Sequence, residues 1–531
     1  MCNENIKKLI ADGDISLGVE FGSTRIKAVL TAKGAKVIAQ SDYGWENQLK
    51  DGIWTYDLAE VWTGLQNCYA KIVQAVKAKY DVEITKINAM GFSAMMHGYL
   101  AFDKEDNLLV PFRTWRNTIT EKAADVLSEE FKFNIPQRWT VAHLYQAILN
   151  KEEHIPRVDF VTTLAGYVHW KLTGNKVVGI GEASGIFPID ETTLDYNADM
   201  ADKFDQLTAK ACFGKKLAEV FPSVLTAGQN AGALTEEGAL LIDPTGTLQA
   251  GTAICPPEGD AGTGMVATNS VLPKTGNISA GTSIFAMIVL QNSLSNYYKE
   301  IDMVTTPAGH PVAMVHCNTC TSDLDGWVKL FYEFAKQTNP DCDISDVYNM
   351  LYTAALKGDY DCGGLAAVNY FAGEPVADVD GGAPLFVRRP QDKFNLSNFM
   401  RSHIYASFAT MKIGLDLLLK DKNVTIEKLF GHGGLFKIQG VAQQMMASAL
   451  NTPVQVTTAA SEGGAWGMAI LAEYINNSNM PLADYLQNVV FADAVSTVCV
   501  PDADETAGFD RYLKNYKKAI EIEKTAVKQL I

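Results

Sequence analysis

Short apolar segments separated by glycine turns recur along the chain. Residues 15–31 contain two strand-like runs on either side of Gly22-Ser23-Thr24, and two runs joined by a short glycine turn are typical of a β-hairpin. Residues 277–290 repeat this pattern about half a chain later, around Gly281-Thr282-Ser283. Because internal repeats reflect repeated architecture, the recurrence favours two related halves.

Apolar residues at helical spacing predict amphipathic helices between the strand-like segments. Residues 58–79 predict one such helix, and residues 160–173 predict another that ends at Gly174, since glycine commonly caps helix C-termini. Ser397 is expected to be an N-cap, because its hydroxyl can accept a hydrogen bond from the first turn. The remaining principal helices are predicted at residues 322–336, 345–357, 397–420, 438–450 and 511–529.

Length and composition indicate a globular protein of more than one domain. The chain has 531 residues, of which 47% are hydrophobic and 20% are charged, and chains of this length usually divide into domains. The net charge of −16 argues against a nucleic-acid backbone or an anionic membrane as the main partner. The N-terminus lacks a signal-peptide pattern and no apolar run approaches the ~20 residues that span a bilayer, so we expect a cytoplasmic protein.

The nine cysteines do not form the pattern of a disulfide framework. Cys317 and Cys320 have the spacing of zinc ligands, but no second pair follows them. We therefore expect these two residues to be buried thiols.

Candidate chemistry is concentrated in the glycine-rich residues 251–285. Asp260 lies in this segment, where glycines allow a ligand to approach the backbone closely and a carboxylate could reach a substrate hydroxyl. The turn at residues 279–283 offers consecutive backbone N–H groups and hydroxyls, which suit a phosphate. A pair of ordinary polar loops is the alternative interpretation.

Three other stretches carry residues with binding potential. The first hairpin places Glu20, Arg25 and Lys27 around its turn, although a surface hairpin with charged edges would have the same composition. The His97 turn and the arginine-rich residues 112–120 could bind a small polar molecule or serve as packed structural loops.

The third of these stretches lies towards the C-terminus. Gly433 and Gly434 stand in a strand–glycine turn–helix pattern that is known from nucleotide-binding turns. The small-residue segment 462–469 follows, and it could pack close to a flat ring or simply against another helix.

Taken together, these stretches resemble the FGGY family of carbohydrate kinases. The family's first phosphate hairpin resembles residues 18–27, and its sugar-binding turn is similar to residues 95–98, Met-Met-His-Gly. Its catalytic Gly-Asp loop resembles Gly259-Asp260, and its second phosphate hairpin resembles residues 279–283. Its adenosine motif resembles residues 431–456 followed by 462–469. The likeness covers residues 14–475, with the motifs in the same order.

The resemblance implies an α/β fold of two ribonuclease-H-like domains, as in actin and sugar-kinase ATPases, with a cleft between them. The implied domains are residues 14–264 and 265–475, and residues 476–531 form a helical tail that packs on the body. Within the family, the His97-Gly98 turn and the run Trp115-Arg116-Asn117 are most similar to the ketopentose kinases, xylulokinase and ribulokinase.

The resemblance also implies the site residues and the cofactors ATP and Mg²⁺. Kinases of this family are often homodimers, and the sequence leaves the oligomeric state open. Asp260 would be the general base for the terminal hydroxyl of L-ribulose or D-xylulose, and Glu20 would hold Mg²⁺. The implied sugar ligands are Met96, His97, Arg116, Asn117 and Asp260. The implied nucleotide ligands are Gly22, Ser23, Thr24, Arg25, Lys27, Gly281, Thr282, Ser283, Gly433, Gly434, Gln439 and Gln443.

Three departures from the family pattern leave alternatives open. Glu20 stands where the family has aspartate, Met95 replaces a glutamine, and Trp115-Arg116-Asn117 replaces a pattern with a charge pair. A kinase for another sugar or polyol, a catalytically weak sugar-sensing relative and an actin-like ATPase remain alternatives.

Overall fold

The computed structural model describes residues 3–421, 423–457 and 463–530. The strands up to residue 271 are β1 (Ile15–Phe21), β2 (Arg25–Ala32), β3 (Lys36–Gly44), β4 (Gln48–Lys50), β5 (Ile53–Thr55), β6 (Ala89–Ala94), β7 (Leu100–Phe102), β8 (Phe160–Thr162), β9 (Val177–Gly179), β10 (Ile189–Asp190), β11 (Asp195–Tyr196), β12 (Ser223–Leu225), β13 (Ala253–Ile254) and β14 (Glu258–Gly259). The α-helices of this part are α1 (Asn3–Asp12), α2 (Leu58–Tyr80), α3 (Glu121–Phe131), α4 (Thr140–Leu149), α5 (Leu164–Thr173), α6 (Ile180–Ala183), α7 (Ala198–Lys210), α8 (Leu217–Val220), α9 (Glu236–Ile242) and α10 (Asp260–Ala267).

The later strands are β15 (Thr275–Ala280), β16 (Ile284–Val289), β17 (Asp302–Thr305), β18 (Pro311–Cys317), β19 (Ala366–Val368), β20 (Leu385–Val387), β21 (Lys428–His432), β22 (Val454–Thr457) and β23 (Ser496–Cys499). The later α-helices are α11 (Ser322–Thr338), α12 (Ile344–Ala355), α13 (Leu396–Leu418), α14 (Val441–Leu450), α15 (Gly463–Tyr474), α16 (Leu482–Tyr485) and α17 (Ala503–Leu530).

The chain divides into two compact units, neither of which is a single continuous segment. Residues 1–271, 303–312 and 460–493 form the first unit, and residues 272–302, 313–459 and 494–531 form the second. This division differs from the contiguous domains expected from the sequence, because α15 packs on β1, β6 and α10 of the first unit. The C-terminal helix α17 belongs to the second unit, where it contacts α14 and β19.

The first unit is built on a six-stranded mixed sheet. Its order is β13-β6-β1-β2-β3, and β14 also pairs with β6. The hairpin predicted at residues 15–31 is confirmed: β1 and β2 pair antiparallel, with Glu20 opposite Lys27. β1 and β6 pair parallel and are almost entirely buried, as expected for strands covered on both faces.

Helix α15 approaches this sheet closely because glycines replace side chains at the contacts. A Cβ atom on Gly18 of β1 would lie 2.2 Å from both the Ala465 carbonyl oxygen and the Ala469 nitrogen. A Cβ atom on Gly467 would lie 2.1 Å from the carbonyl oxygen of Thr263 in α10. Side chains at these glycines would therefore separate α15 from β1 and α10.

The second unit also contains a mixed sheet, ordered β18-β16-β15-β21-β22-β23 in the part that belongs to this unit. The second predicted hairpin is confirmed, since β15 pairs antiparallel with β16. α13 is buried over most of its length. Arg401 of α13 forms a buried ion pair with Glu505 of α17, with 2.5 Å between Nη1 and Oε1.

Most predicted helices are confirmed, but several begin at other residues than the sequence predicted. Gly174 ends α5 in the left-handed conformation, as predicted, but residues 160–162 form strand β8 rather than its first turn. Ser397 is not the N-cap of α13, because Asn395 precedes the helix and accepts the Asn398 N–H. Helix α14 starts at Val441, later than predicted, after Gly440 adopts a φ of 78°. No helix among the described residues is long and apolar enough to cross a membrane.

Alanine substitutions at two helical glycines are expected to have opposite effects on stability. In Gly467→Ala, the added methyl group would meet the Thr263 carbonyl oxygen, and such overpacking typically costs about 1–3 kcal/mol. In Gly326→Ala, within α11, the methyl group enters open space, and the higher helix propensity of alanine should stabilise by about 0.5–1 kcal/mol. Urea denaturation measures both changes; a neutral Gly467→Ala variant would contradict the close packing of α15.

Candidate active site

The parallel strands of the first unit end at one edge of its sheet, and this edge collects the candidate catalytic residues. β6 lies between β1 and β14, so that Ser93 of β6 is aligned with Glu20 on one side and with Glu258 on the other. Asp260 follows directly after β14, and the turn with Met96 and His97 follows β6. The carboxyl ends of parallel strands are common ligand-binding positions.

Asp260 is the first residue of α10 and is held by the turn after β6. The Met96 N–H donates to Asp260 Oδ1 at 3.2 Å. The Asp260 side chain reaches solvent, yet protein atoms surround its carboxylate, and this loss of solvation raises its pKa while the Met96 N–H opposes the rise. A residue with a side chain could not replace Gly259, since its Cβ atom would lie 2.1 Å from Met96 Cγ.

Glu20 is the penultimate residue of β1. It interacts with the N-terminal turn of α15 and with Lys27, its neighbour on β2. Burial raises its pKa, the nearby Asp260 carboxylate raises it further, and Lys27 and the Ala465 N–H lower it. The same carboxylate lies beside Gly464, whose Cβ atom would be 2.8 Å from Glu20 Oε1. Glu20 therefore accepts from the N-terminal turn of α15, where a negative charge is favoured.

Two further carboxyl groups, those of Glu182 and Glu258, are buried near Asp260. The sequence analysis did not predict a role for either. Glu258 is buried and accepts the N–H groups of Gly181 at 3.3 Å and of Glu182 at 3.0 Å. Burial raises the pKa of Glu258 to about 8. In the sequence, Glu182 follows Gly181 and Glu258 precedes Gly259, as in many ordinary loops. The one signal for a functional role was the position of Glu258 two residues before Asp260.

Glu182 is the second of these groups, and it is fully buried. The Thr163 side chain is the one polar group among the described residues that favours the charged form of its carboxylate, and its contact is too poorly aligned to satisfy either oxygen. Burial, followed by the Glu258 and Asp260 carboxylates, raises its pKa well above the ordinary value. The surroundings of Glu182 thus favour the neutral acid.

The residues predicted to bind a sugar differ in what their side chains can offer. His97 is buried in the left-handed region, with φ of 73°, and its Nδ1 lies 3.3 Å from the Gly185 carbonyl oxygen. Burial lowers the pKa of His97 well below its ordinary value, so the neutral ring donates through Nδ1 and keeps Nε2 as an acceptor. Met95 and Met96 are both buried.

Arg116 and Asn117 have structural contacts in this structure. The Arg116 guanidinium lies over the Trp54 ring, 3.7 Å from its centre. Both amide hydrogens of Asn117 are used by carbonyl groups, at 2.8 Å from Trp54 and 3.0 Å from Thr114, and Asn117 Oδ1 accepts the Trp54 N–H. Asn117 therefore holds the loop, and a part in sugar binding stays a prediction.

The predicted cations of the first hairpin have different partners. Arg25 pairs with Asp42 on the neighbouring strand β3, whereas Lys27 lies opposite Glu20. The side chains of Ser23, Thr24, Arg25 and Lys27 are exposed, and Gly22 is half-buried.

The second unit brings the other predicted nucleotide residues to the ends of β15 and β21. These strands are parallel, with Ser279 aligned with His432, so the turn at residues 281–283 and the turn at Gly433 and Gly434 are neighbours. Gly433 has φ of 104° and its Cβ atom would lie 2.4 Å from the Ala280 carbonyl oxygen. Only glycine fits this position.

The remaining residues of the predicted adenosine motif are placed unevenly. Gln439 is exposed. Gln443 is buried, and its amide donates to the carbonyl groups of Val454 and Thr497 and accepts from the Thr497 hydroxyl. The small-residue helix α15 belongs to the first unit and Gly433 to the second, and Glu462 lies outside the described residues.

Potential metal-binding groups are sparse. Within the described ranges, no set of three or more His, Cys, Asp or Glu side chains is arranged to hold a metal ion. Cys317 and Cys320 are buried, as predicted, and burial raises the pKa of both thiols.

Two family models match the chain. The N-terminal domain of the FGGY family of carbohydrate kinases matches residues 15–253, and the C-terminal domain of the same family matches residues 276–475. A xylulose kinase from Haemophilus influenzae is 22% identical over 97% of this chain and 99% of its own length.

Solved structures of carbohydrate kinases share the fold. Xylulose kinase from Lactobacillus acidophilus superposes with a TM-score of 0.76 at 17% identity, over 96% of this chain and 98% of its own. Gluconate kinase from the same organism gives a TM-score of 0.76 at 17% identity, over 97% and 99%. The expected two-domain α/β fold of the sugar-kinase ATPases is thereby confirmed.

The pH dependence of stability should reveal the buried Glu258. Its pKa of about 8 exceeds the ordinary 4.5, so the folded state binds more protons and loses stability as the pH rises from 4.5 to 8. Glu258→Gln removes this loss but places an NH₂ group against an N–H donor, which lowers stability at every pH. The stability gap to the native protein should therefore narrow with rising pH, by at most about 1.4 kcal/mol per pH unit.

Chemical denaturation at pH 5.5, 7.0 and 8.5 measures this gap. Glu237→Gln removes one negative charge at an exposed position and serves as the control. A gap for Glu258→Gln that stays constant across these pH values would contradict the buried acid.

Proposed function

Because the chain belongs to the FGGY family of carbohydrate kinases, we propose that it transfers a phosphoryl group from ATP to the terminal hydroxyl of a ketopentose, either L-ribulose or D-xylulose. The observation that carries the proposal is the placement of Asp260. Its side chain is exposed, and its carboxylate accepts the Met96 N–H from the turn that also contains His97. The match to a xylulose kinase over nearly the full chain supports the ketopentose.

Asp260 is the general base of this reaction. Its carboxylate accepts the proton of the sugar hydroxyl while the oxygen forms a bond to the γ-phosphorus and the bond to the departing ADP breaks. Phosphoryl transfer depends mainly on positioning and on electrostatic stabilisation. The raised pKa of Asp260 supports this assignment, since it makes the carboxylate a better proton acceptor near neutral pH.

The sugar is bound by the side chains and backbone of the turn after β6. Neutral His97 accepts a hydroxyl hydrogen through Nε2, and Met96 provides an apolar wall beside Asp260. Arg116 is stacked on Trp54 with its hydrogen-bond donors available to sugar oxygens, whereas Asn117 acts from behind by fixing the backbone of Trp54 and Thr114.

Each unit offers groups suited to a nucleotide. In the first unit, the N–H groups and hydroxyls of Ser23 and Thr24, with Gly22 and Lys27, suit phosphate oxygens. In the second unit, Gly281, Thr282 and Ser283 offer a turn of the same kind. Arg25 contributes only after it leaves Asp42. Gly433, Gly434 and Gln439 border the adenosine, while Gln443 supports β22 and β23 from within.

The chemistry of the donor set fits a magnesium ion. Glu20 and Asp260 are neighbouring carboxylates whose repulsion raises the pKa of Glu20, and a cation would relieve this repulsion. Mg²⁺ usually takes one or two carboxylates together with water and phosphate oxygens, which agrees with the few acidic ligands here. Glu20 would hold the ion, which when bound neutralises phosphate charge.

The identity of the sugar should follow from a substrate panel. ADP release with Mg·ATP is expected to respond most strongly to L-ribulose or D-xylulose among ketopentoses, ketohexoses, gluconate, polyols and glycerol. If ADP release responds only to another compound, the chain is still a kinase, but its substrate is that compound and not a ketopentose. Sugar-independent ATP consumption would favour the actin-like ATPase, and sugar binding without ADP release would favour the sensing relative.

Removal of the proposed base should abolish most of the activity. In Asp260→Asn the amide cannot accept the proton, and turnover should fall by about 10²–10⁴-fold, with sugar and ATP affinities changed only a few-fold. Asp57→Asn is the matched control, because Asp57 caps α2 at the surface through the Ala59 N–H and asparagine caps equally well. Near-native turnover of a folded Asp260→Asn protein would exclude Asp260 as the base.

A further inference from the structure

The turn between β1 and β2 has three successive carbonyl groups held from one side. The Gly22 carbonyl accepts from Trp45 Nε1 at 2.7 Å, and the Ser23 carbonyl accepts from the Tyr56 hydroxyl at 2.6 Å. The Thr24 carbonyl accepts from the Trp45 N–H at 3.2 Å. Two aromatic residues thus fix the orientation of three consecutive peptide planes.

Because these carbonyl groups are held, the geometry of the peptide bond also fixes the direction of the N–H groups in the turn. In a planar trans peptide, the N–H of the following residue points away from the C=O, and no cis peptide bond occurs among the described residues. The N–H groups of Ser23, Thr24 and Arg25 therefore point away from Trp45 and Tyr56. The side chains of Ser23 and Thr24 are exposed on this turn. Successive N–H groups directed to one side form a concavity that binds anions.

The two aromatic residues are themselves held in place. Their rings stack with centroids 4.3 Å apart, and Phe21 and Phe112 flank the stack at 6.3 and 6.4 Å. Trp45 and Tyr56 are only 5% and 3% exposed. The donors that hold the turn therefore have little freedom to move, and the turn keeps its shape before any ligand arrives.

The hairpin turn of the second unit shows the same arrangement with different residues. The Gly281 carbonyl accepts from the N–H and the hydroxyl of Thr321, at 3.1 and 3.0 Å, and the Thr282 carbonyl accepts from the Cys320 N–H at 2.8 Å. By the same peptide geometry, the N–H groups of Thr282 and Ser283 point away from the start of α11. The feature shared by the two turns is the direction of the carbonyl groups, not the residue that holds them.

We infer that Trp45 and Tyr56 are positioning residues for the phosphate groups of the nucleotide. They hold the turn at residues 22–25 so that its N–H groups are directed at phosphate oxygens, without touching the nucleotide themselves. The inference rests on the proposed kinase function, and it assigns to these two residues a role that the sequence did not indicate.

Tyr56→Phe tests this inference, because it removes one hydroxyl and leaves the ring stack in place. The Ser23 carbonyl then loses its donor, and the affinity for a non-hydrolysable ATP analogue is expected to fall about 3- to 10-fold, as for the loss of one hydrogen bond. The inhibition constant of adenosine, which has no phosphate, and the KM of the sugar should change less than two-fold. Isothermal titration and steady-state kinetics on the full chain measure these values.

Tyr43→Phe is the matched control. The Tyr43 hydroxyl donates to Glu60 Oε2 at 2.8 Å, so its removal deletes a tyrosine hydroxyl of the same region that does not contact the turn. This variant should bind the ATP analogue and adenosine as the native protein does. Circular dichroism checks that both variants are folded, and Trp45→Phe, which removes the donor to Gly22, decides the question if Tyr56→Phe does not fold.

Two outcomes would overturn the inference. One is an unchanged affinity of folded Tyr56→Phe for the ATP analogue, and the other is an equal loss for adenosine. Its failure is distinguishable from failure of the proposed function. A native protein that phosphorylates a sugar, with an unaffected variant, would reject only the positioning role. A native protein that binds the analogue but phosphorylates no sugar, with a weakened variant, would reject only the sugar kinase.

Discussion

The close approach of α15 to β1 and α10 is the contact on which the catalytic edge of the first unit depends. Gly18 and Gly467 leave no room for a side chain at this contact, and the helix that results delivers its N-terminal turn to the Glu20 carboxylate. α15 follows β1 by more than four hundred residues in the chain. The surroundings of Glu20 thus depend on a distant segment that returns to the first sheet, whereas Asp260 is held by the Met96 N–H.

Four carboxyl groups lie near this edge, and burial disfavours the charged form of each. Glu20, Glu182, Glu258 and Asp260 all have raised pKa values, with burial as the first cause. Lys27, the Thr163 side chain and several backbone N–H groups favour the charged forms. Acids with perturbed pKa values are typical of functional sites. Glu182 and Glu258 are buried, so Asp260 is the acid that a substrate can reach.

The two units reach similar turns by different local means. In each unit a hairpin turn has its carbonyl groups bound from behind, by an aromatic stack in the first unit and by the start of α11 in the second. The backbone direction needed for an anion is therefore shared, while the supporting side chains are free to differ. This explains why the hairpins resemble each other in sequence only over their glycine, serine and threonine residues.

The sequence by itself determined the features that local interactions govern. The two hairpins, α2 and the end of α5 at Gly174 follow from glycine turns and apolar periodicity, and each agrees with the structure. The family resemblance rests on motifs in a fixed order along the chain, and the family match confirms it. Asp260 stood out in the sequence because it lies among glycines, which allow a ligand to approach the backbone closely, and the family resemblance marks the same Gly-Asp pair.

Only the tertiary structure decided which polar side chains are free to act. Asn117 and Gln443 look like ligands in the sequence, but their amides are used by backbone groups of Trp54, Thr114, Val454 and Thr497. Glu182 gave no signal in the sequence, and the signal for Glu258 was its position two residues before Asp260, because the properties of both groups arise from burial beside Asp260. The partners of a polar group and the place of α15 depend on contacts far apart in the chain, which local patterns cannot encode.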